Sequence, residues 1–198
     1  VLALSRIGKV AAATTAVALI EAFGVGQVVF TGVAGGVGEG VAVGDVVVGS
    51  TFVQHDMDAS PLFPRYEIPL YGQTLFQTDP ALSALLVRAS QTVVPHGLNR
   101  AVAVHQGLIA SGDRFVSGAS EAQQLVLALQ AGGHSPLAVE MEGAAVAQVC
   151  ADYRVPFAAV RTISDRADDT AHVDFAQFVN DVAAVYARRI VTELMVLL

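Results

Sequence analysis

Short apolar runs alternate with longer helical segments along the whole chain, and this alternation limits the fold more than any other feature. The apolar runs have the length and residue types of buried strands. They are VLAL (1–4), QVVF (27–30), GDVVVGSTFVQ (44–54), AVAVHQGLIAS (101–111), the start of LAVEMEGAAVAQVCADY (137–153) and VPFAAVRTISD (155–165). Strands that alternate with helices predict one α/β domain over residues 1–198, a three-layer fold with a mixed, largely parallel sheet flanked by helices.

The helical segments between the strands have recognisable ends. Residues 7–23 are apolar on nearly all faces, which predicts a helix buried against the sheet and ended by Gly24. Asp79 and Pro80 are the residue types of a helix cap and of a first helical position. Further helices are predicted at 79–90, at 121–131, after VEME, and at 175–198.

The composition indicates an oligomer rather than a nucleic-acid or membrane protein. Charged residues make up 15% of the chain, against about 25% in an ordinary soluble domain, so another subunit is expected to cover part of the surface. The net charge of -7, without a cluster of Lys or Arg, argues against nucleic acid. No run of about 18 apolar residues is free of charge, which argues against a membrane span. The single cysteine, Cys150, fits a reducing cytosol.

Residues 55–77, called the excursion below, differ from the rest of the chain. They contain Pro61, Pro64 and Pro69, several aromatic residues and little periodicity, which predicts irregular structure. Because irregular segments of this length usually have a binding or assembly role, we expect the excursion to contribute to a homodimer.

Polar residues follow four predicted strands, and ligands of open α/β sheets bind beyond such carboxyl ends. The segments are TGVAGG (31–36), SGDRFV (111–116), VEME (139–142) and RTISD (161–165). Buried carboxylates at Glu140 and Glu142 need donors, which a sugar diol supplies; alternatively they complement the dipole of the following helix. Arg161 and Asp165 form either a structural ion pair or part of a ligand-binding site. TGVAGG and SGDRFV, each taken alone, are typical of ordinary turns.

Several kinds of catalytic site find no support in the sequence. The five histidines have no metal-ligand spacing and no paired cysteine. The chain also contains no GxSxG elbow and no P-loop. No metal and no cofactor are expected.

In this order and spacing the motifs resemble the methylthioadenosine/adenosylhomocysteine nucleosidases of the purine nucleoside phosphorylase superfamily. The resemblance runs from SRIGKVAAA (5–13) through TGVAGG, VGDVVV (43–48), SGDRFV and VEMEGAAVAQVC to VPFAAVRTISDRAD (155–168). It implies a nucleoside phosphorylase-like fold, a cytoplasmic homodimer and hydrolysis of the N-glycosidic bond of an adenine nucleoside.

By this resemblance Asp165 protonates N7 of the purine, Glu142 binds the ribose hydroxyls and Arg161 orients the attacking water. The remaining substrate-binding residues that it implies are Met141 beneath the sugar, Phe115 on the adenine, the Val116 backbone at the adenine edge, and Glu140, Gly35, Ala34, Ile7, Ser164 and Ala167 around them. Within the excursion, Met57, Leu62 and Phe63 are expected to reach the 5′-substituent pocket of the neighbouring subunit.

The implied chemistry is physically consistent with these residue types. Cleavage produces an oxocarbenium-like ribose and an adenine anion, so a proton at N7 relieves the charge on the leaving group. In this role Asp165 is the general acid that supplies the proton. The carboxylate of Glu142 opposes the positive charge that develops on the sugar.

A phosphate-dependent phosphorylase is the nearest alternative, because it uses the same sheet and the same acid. It needs arginines and small hydroxyl residues to hold phosphate. Here Lys9 and Val10 stand where the phosphorylases, by resemblance, have Pro-Ser, and TGVAGG contains no Arg, so hydrolysis is preferred. Futalosine hydrolase and AMP nucleosidase stay open as alternatives within the superfamily. A catalytically silent binding or assembly protein on this fold is the alternative from another class.

Two departures from the family pattern bear on activity. Val33 stands in the middle of the family's TGSAGG-like motif, which removes one hydroxyl contact. The family's N-terminal strand, with the glutamate that activates water, has no counterpart in this sequence, which begins at Val1 with a strand pattern rather than at Met. We therefore expect the encoded protein to be longer, and residues 1–198 alone to lack hydrolytic activity.

Overall fold

The computed structural model describes residues 1–93, 102–167 and 183–198. After three consecutive strands, β1 to β3, strands and helices alternate in these residues. In chain order the elements are α1 Lys9–Phe23, β1 Val28–Gly36, β2 Val46–Gln54, β3 Leu75–Gln77, α2 Pro80–Val93, β4 Val104–Ser111, α3 Ala119–Ala131, β5 Pro136–Glu140, α4 Gly143–Tyr153, β6 Phe157–Asp165 and α5 Ala184–Leu197.

The strands form one mixed sheet in the order β3-β2-β4-β5-β1-β6. The pairings β1–β6, β2–β4 and β4–β5 are parallel, whereas β1–β5, β2–β3 and β2–β6 are antiparallel. Because β6 pairs with both β1 and β2, five of the strands form a closed sheet. The mixed sheet flanked by helices is confirmed, but its closure was not predicted.

Helices cover this sheet in three groups, each with its own apolar cluster. Ala12 and Ala16 of α1 share the first cluster with the alanines and Cys150 of α4. Leu86 of α2 and Ile190 of α5 belong to the second cluster, and α3 contributes to the third. In the described part of the chain, no helix is long and apolar enough to cross a membrane.

The structure confirms several local predictions. Asp79 caps α2, because its Oδ1 accepts a hydrogen bond from the Leu82 amide at 2.8 Å. Gly24 ends α1 in the left-handed conformation, with φ of 61°. The excursion is largely irregular before β3 begins. Of the helix predicted at 175–198, the residues before 183 lie outside the described part of the chain.

The strand predicted for VLAL is wrong. Residues 1–6 form no strand, and Val1, Leu2 and Leu4 are 81%, 97% and 85% exposed. Apolar content alone does not make a strand, since the backbone also needs an unpaired edge to bond with. The described strands of the closed sheet pair with one another instead.

The helix predicted at 7–23 begins at Lys9 and is less buried than its apolar sequence suggests. Ala12 and Ala16 are its buried residues, whereas Val10 is 75% and Phe23 63% exposed. The helix packs with one face against α4. Its other apolar side chains are partly buried or exposed in the described chain.

The turn predicted at TGVAGG is instead extended strand, because β1 continues through Gly36. The glycines serve close packing rather than a turn. A Cβ at Gly35 would lie 3.0 Å from both Asp165 Oδ1 and Ala167 Cβ, and one at Gly32 would lie 3.3 Å from the Arg161 guanidinium. Glycine at these positions lets the polar residues of β6 lie directly against β1.

Candidate active site

A cavity of about 390 Å³ lies where β1, β5 and β6 end and where the turn after β4 begins. The structure thus brings the four polar strand ends together, as the sequence analysis expects. Ten of the predicted site residues line this cavity: Ile7, Ala34, Gly35, Phe115, Val116, Glu140, Met141, Glu142, Ser164 and Asp165. Sequence reasoning did not name Val33, Arg114 and Val139 as lining residues, although all three belong to the quoted motifs.

Other predicted residues lie outside the cavity lining. Ala167 sits behind Asp165, to which its amide donates a hydrogen bond. Met57 packs against the apolar cluster under α1 and α4. Leu62 is 85% exposed, and Phe63 is half-buried. A role for these excursion residues in a neighbouring subunit stays a prediction.

Arg161 does not line the cavity, although the resemblance places it in the sugar and water region. Its guanidinium lies 4.2 Å from the centre of the Phe30 ring. Its Nη2 and Nε donate to Glu140 Oε2 at 2.6 Å and 3.2 Å. With side chains only 1% and 2% exposed, Arg161 and Glu140 form a buried ion pair.

The Glu140 carboxylate joins the elements around the cavity. Besides Arg161, it accepts hydrogen bonds from the Ser111 hydroxyl at the end of β4 and from the Gly143 amide at 2.9 Å. The Glu142 amide donates to it at 3.2 Å. Glu140 therefore complements the first turn of α4, as the simpler sequence interpretation proposed, and also balances a buried cation.

Glu142 directs its carboxylate differently. Its Oε1 accepts a hydrogen bond from the Gly8 amide at 2.9 Å, just before α1. Burial raises the pKa of Glu142, with the nearby charge of Glu140 adding to the effect and the Gly8 amide opposing it. Glu142 lines the cavity, where a ligand with hydroxyl groups can supply further donors to its carboxylate.

Asp165 ends β6 and is 6% exposed. The Ser164 hydroxyl donates to its Oδ2, and the Ala167 amide donates to its Oδ1, both at 2.7 Å. These neutral donors fix the carboxyl group, while Gly35 leaves room for it against β1. Besides Glu140, whose carboxylate is paired with Arg161, the cavity thus presents one carboxyl group from β6 and another from the segment between β5 and α4.

The described residues offer no support for a metal site or for a cysteine nucleophile. No group of three His, Cys, Asp or Glu side chains able to hold a metal occurs in residues 1–93, 102–167 and 183–198. Burial raises the pKa of Cys150 to about 12, so its thiol is not a ready nucleophile.

Comparison with known proteins agrees with this geometry. The profile described as "Phosphorylase superfamily" matches residues 1–195. The 5′-methylthioadenosine/S-adenosylhomocysteine nucleosidase of Actinobacillus succinogenes is 38% identical over 90% of this chain and 73% of its own length. The aminodeoxyfutalosine nucleosidase of Helicobacter pylori is 36% identical over 95% of this chain and 76% of its own.

A solved structure of a nucleosidase also matches this chain closely. The 5′-methylthioadenosine/S-adenosylhomocysteine nucleosidase from Neisseria meningitidis, in complex with methylthio-immucillin-A, superposes with a TM-score of 0.87 at 36% identity. The match covers 100% of this chain and 80% of that one. This chain belongs to the phosphorylase superfamily, and the resemblance inferred from its motifs is confirmed.

Proposed function

We propose that this protein hydrolyses the N-glycosidic bond of 5′-methylthioadenosine and S-adenosylhomocysteine, releasing adenine and a 5-thioribose product. The observation that carries the proposal is the pair of carboxyl groups, Asp165 and Glu142, on one cavity lined otherwise mainly by apolar residues. Relatives that are nucleosidases by name support it.

In the proposed reaction the C1′–N9 bond breaks, and its electron pair goes to the adenine. Asp165 supplies the proton that N7 takes up, and water adds its oxygen to C1′ and loses a proton. Glu142, held by the Gly8 amide, accepts hydrogen bonds from the ribose hydroxyls and opposes the positive charge on the sugar. Water loses its proton to a base, and we expect that base to be the glutamate of the family's N-terminal segment.

The apolar part of the cavity suits the adenine. Phe115, 45% exposed at its mouth, would stack on the base, and the Val116 backbone would bond its edge. Met141 would lie beneath the sugar, with Ile7, Ala34 and Gly35 around it. Glu140 and Arg161 would act indirectly, by holding Glu142 and the end of β5 in place.

The arginines support hydrolysis over phosphorolysis. Among the described lining residues the only cation is Arg114, whose Nε bonds to Glu121 Oε1 at 2.7 Å. Arg161 is already neutralised by Glu140. Among the described lining residues, a phosphate dianion would therefore meet no buried arginine, and the side chain of Arg114 is 75% exposed and paired through Nε with Glu121.

A futalosine-type nucleoside is the second candidate substrate. The Helicobacter pylori relative is about as similar to this chain as the relative from Actinobacillus succinogenes. Both candidates require the same bond cleavage, so they differ in the 5′-substituent. We further propose a cytoplasmic location, consistent with the single buried Cys150.

We expect the encoded protein to release adenine from methylthioadenosine in phosphate-free buffer, because the described lining residues form no buried arginine clamp for phosphate. Chromatography of the sugar product, with methylthioadenosine, adenosylhomocysteine, aminodeoxyfutalosine and inosine compared, measures this directly. Added phosphate should change neither the rate nor the product. Turnover that requires phosphate and yields a sugar 1-phosphate would show that the protein is a phosphorylase.

Substitution Asp165→Asn should lower kcat by roughly 10²–10⁴, the range for a lost general acid. The side chain keeps its size, so the nucleoside should still bind. Steady-state kinetics and calorimetric titration with methylthioadenosine separate the two effects. Unchanged turnover would remove Asp165 from the role of acid.

We also propose a homodimer built on α1 and the excursion. Val10, Leu62 and Leu70 are 75%, 85% and 91% exposed, and Lys9 bonds directly to Asp56 of the excursion, so the two elements adjoin.

Leu62→Asp should therefore shift the protein to monomers in light scattering at micromolar concentration. Leu127→Asp, at a 57% exposed position on α3, is the matched control and should stay dimeric. A fully active monomeric wild type contradicts the proposal.

A further inference from the structure

A network of hydrogen bonds outside the cavity joins three segments that are distant in sequence. Lys9 Nζ donates to Asp56 Oδ1 at 2.6 Å. The Asp113 amide donates to Asp56 Oδ2 at 2.9 Å, and the Lys9 amide donates to Asp113 Oδ1 at 2.7 Å. These three residues close a ring, and Gln54 Oε1 accepts a further bond from Lys9 Nζ at 3.1 Å.

Two members of the ring are neighbours of residues that line the cavity. Lys9 begins α1, two residues after Ile7, and Asp113 lies two residues before Phe115. Ile7 is 78% and Phe115 45% exposed, so both stand at the mouth of the cavity. The ring therefore fixes the separation of the two segments that form this mouth.

The ion pair in the ring is shielded from solvent. The side chains of Lys9 and Asp56 are 16% and 31% exposed, which reduces the screening that weakens pairs on open surfaces. Partial burial acts to raise the pKa of Asp56, but the hydrogen bonds from Lys9 and from the Asp113 amide outweigh it, and the pKa lies below its ordinary value. Asp56 is therefore a carboxylate that accepts from both neighbours.

We propose that Lys9 and Asp56 are positioning residues that hold Ile7 and Phe115 at the spacing that binds the nucleoside. This inference rests on the proposed function and adds two specificity-setting residues to it. Asp165 is attached through β6 and is not part of the ring. The Gly8 amide beside Lys9 also holds Glu142, so loosening the ring should weaken substrate binding and slow bond cleavage to a smaller extent, because the proton donor Asp165 is not displaced.

The test is a double-mutant cycle with Asp56→Asn and Lys9→Met in the encoded protein. Each single substitution should raise the KM for methylthioadenosine about tenfold and change kcat by less than about threefold, because small misplacements of substrate-contacting segments are costly. The double variant should bind no more weakly than the weaker single variant, because both changes break the same Nζ–Oδ1 contact. Lys9→Arg should restore most of the affinity.

Asp152→Asn is the matched control. Its Oδ2 accepts a hydrogen bond from the Tyr71 hydroxyl at 2.9 Å, so it anchors the far end of the same excursion without contact to the ring. This variant should keep the wild-type KM. The proposal is overturned if Asp152→Asn raises KM equally, if the two ring variants are additive, or if they lower the melting temperature and leave KM unchanged.

Titration calorimetry separates this inference from the proposed function. In an Asp165→Asn background cleavage should be at least about a hundredfold slower, so a titration completed before much product forms gives a Kd for methylthioadenosine that reports binding. The ring substitutions should raise this Kd about tenfold as well. A wild type that binds methylthioadenosine without cleaving it would contradict the proposed function, while the Kd values would still decide whether the ring positions the site.

Discussion

The buried ion pair of Glu140 and Arg161 is the interaction on which the arrangement of the site depends. Isolated charges at this depth would be strongly unfavourable, and a pair is tolerated only when its remaining hydrogen bonds are satisfied. Glu140 meets this requirement with donors from Ser111, Gly143 and Arg161. Its carboxylate therefore connects the ends of β4 and β5 and the middle of β6 with the first turn of α4.

Close packing of strands completes this arrangement. Gly35 and Gly32 of β1 allow Asp165 and Arg161 of the adjacent strand to lie against its backbone. Gly143 has a similar role at the start of α4, because a Cβ there would lie 3.2 Å from Glu140 Oε1 and would collide with the Phe52 ring. The absence of side chains at these positions thus determines where the polar groups of the site can lie.

Most of the strands and helices and the position of the site could be predicted from the sequence, since strand and helix patterns are local and the polar residues fall at strand ends. The grouping of Glu142, Phe115 and Asp165 around one cavity followed from that placement and from the family resemblance. The extended conformation of TGVAGG could not be predicted in this way, because its glycines are needed for close packing against β6 and do not form a local turn. The closure of the sheet and the contact of Lys9 with Asp56 depend on pairings between distant segments, which no local pattern encodes.

The central claim, that Glu140 holds the strand ends together, is tested most directly by the free energy of unfolding of Glu140→Gln in urea. This substitution keeps the shape of the side chain but leaves Arg161 without its anion. We predict a loss of about 3–5 kcal/mol, the range for breaking one partner of a buried pair. The exposed control Glu39→Gln should change stability by less than about 0.5 kcal/mol. A loss at Glu140 no larger than that of the control would contradict the account.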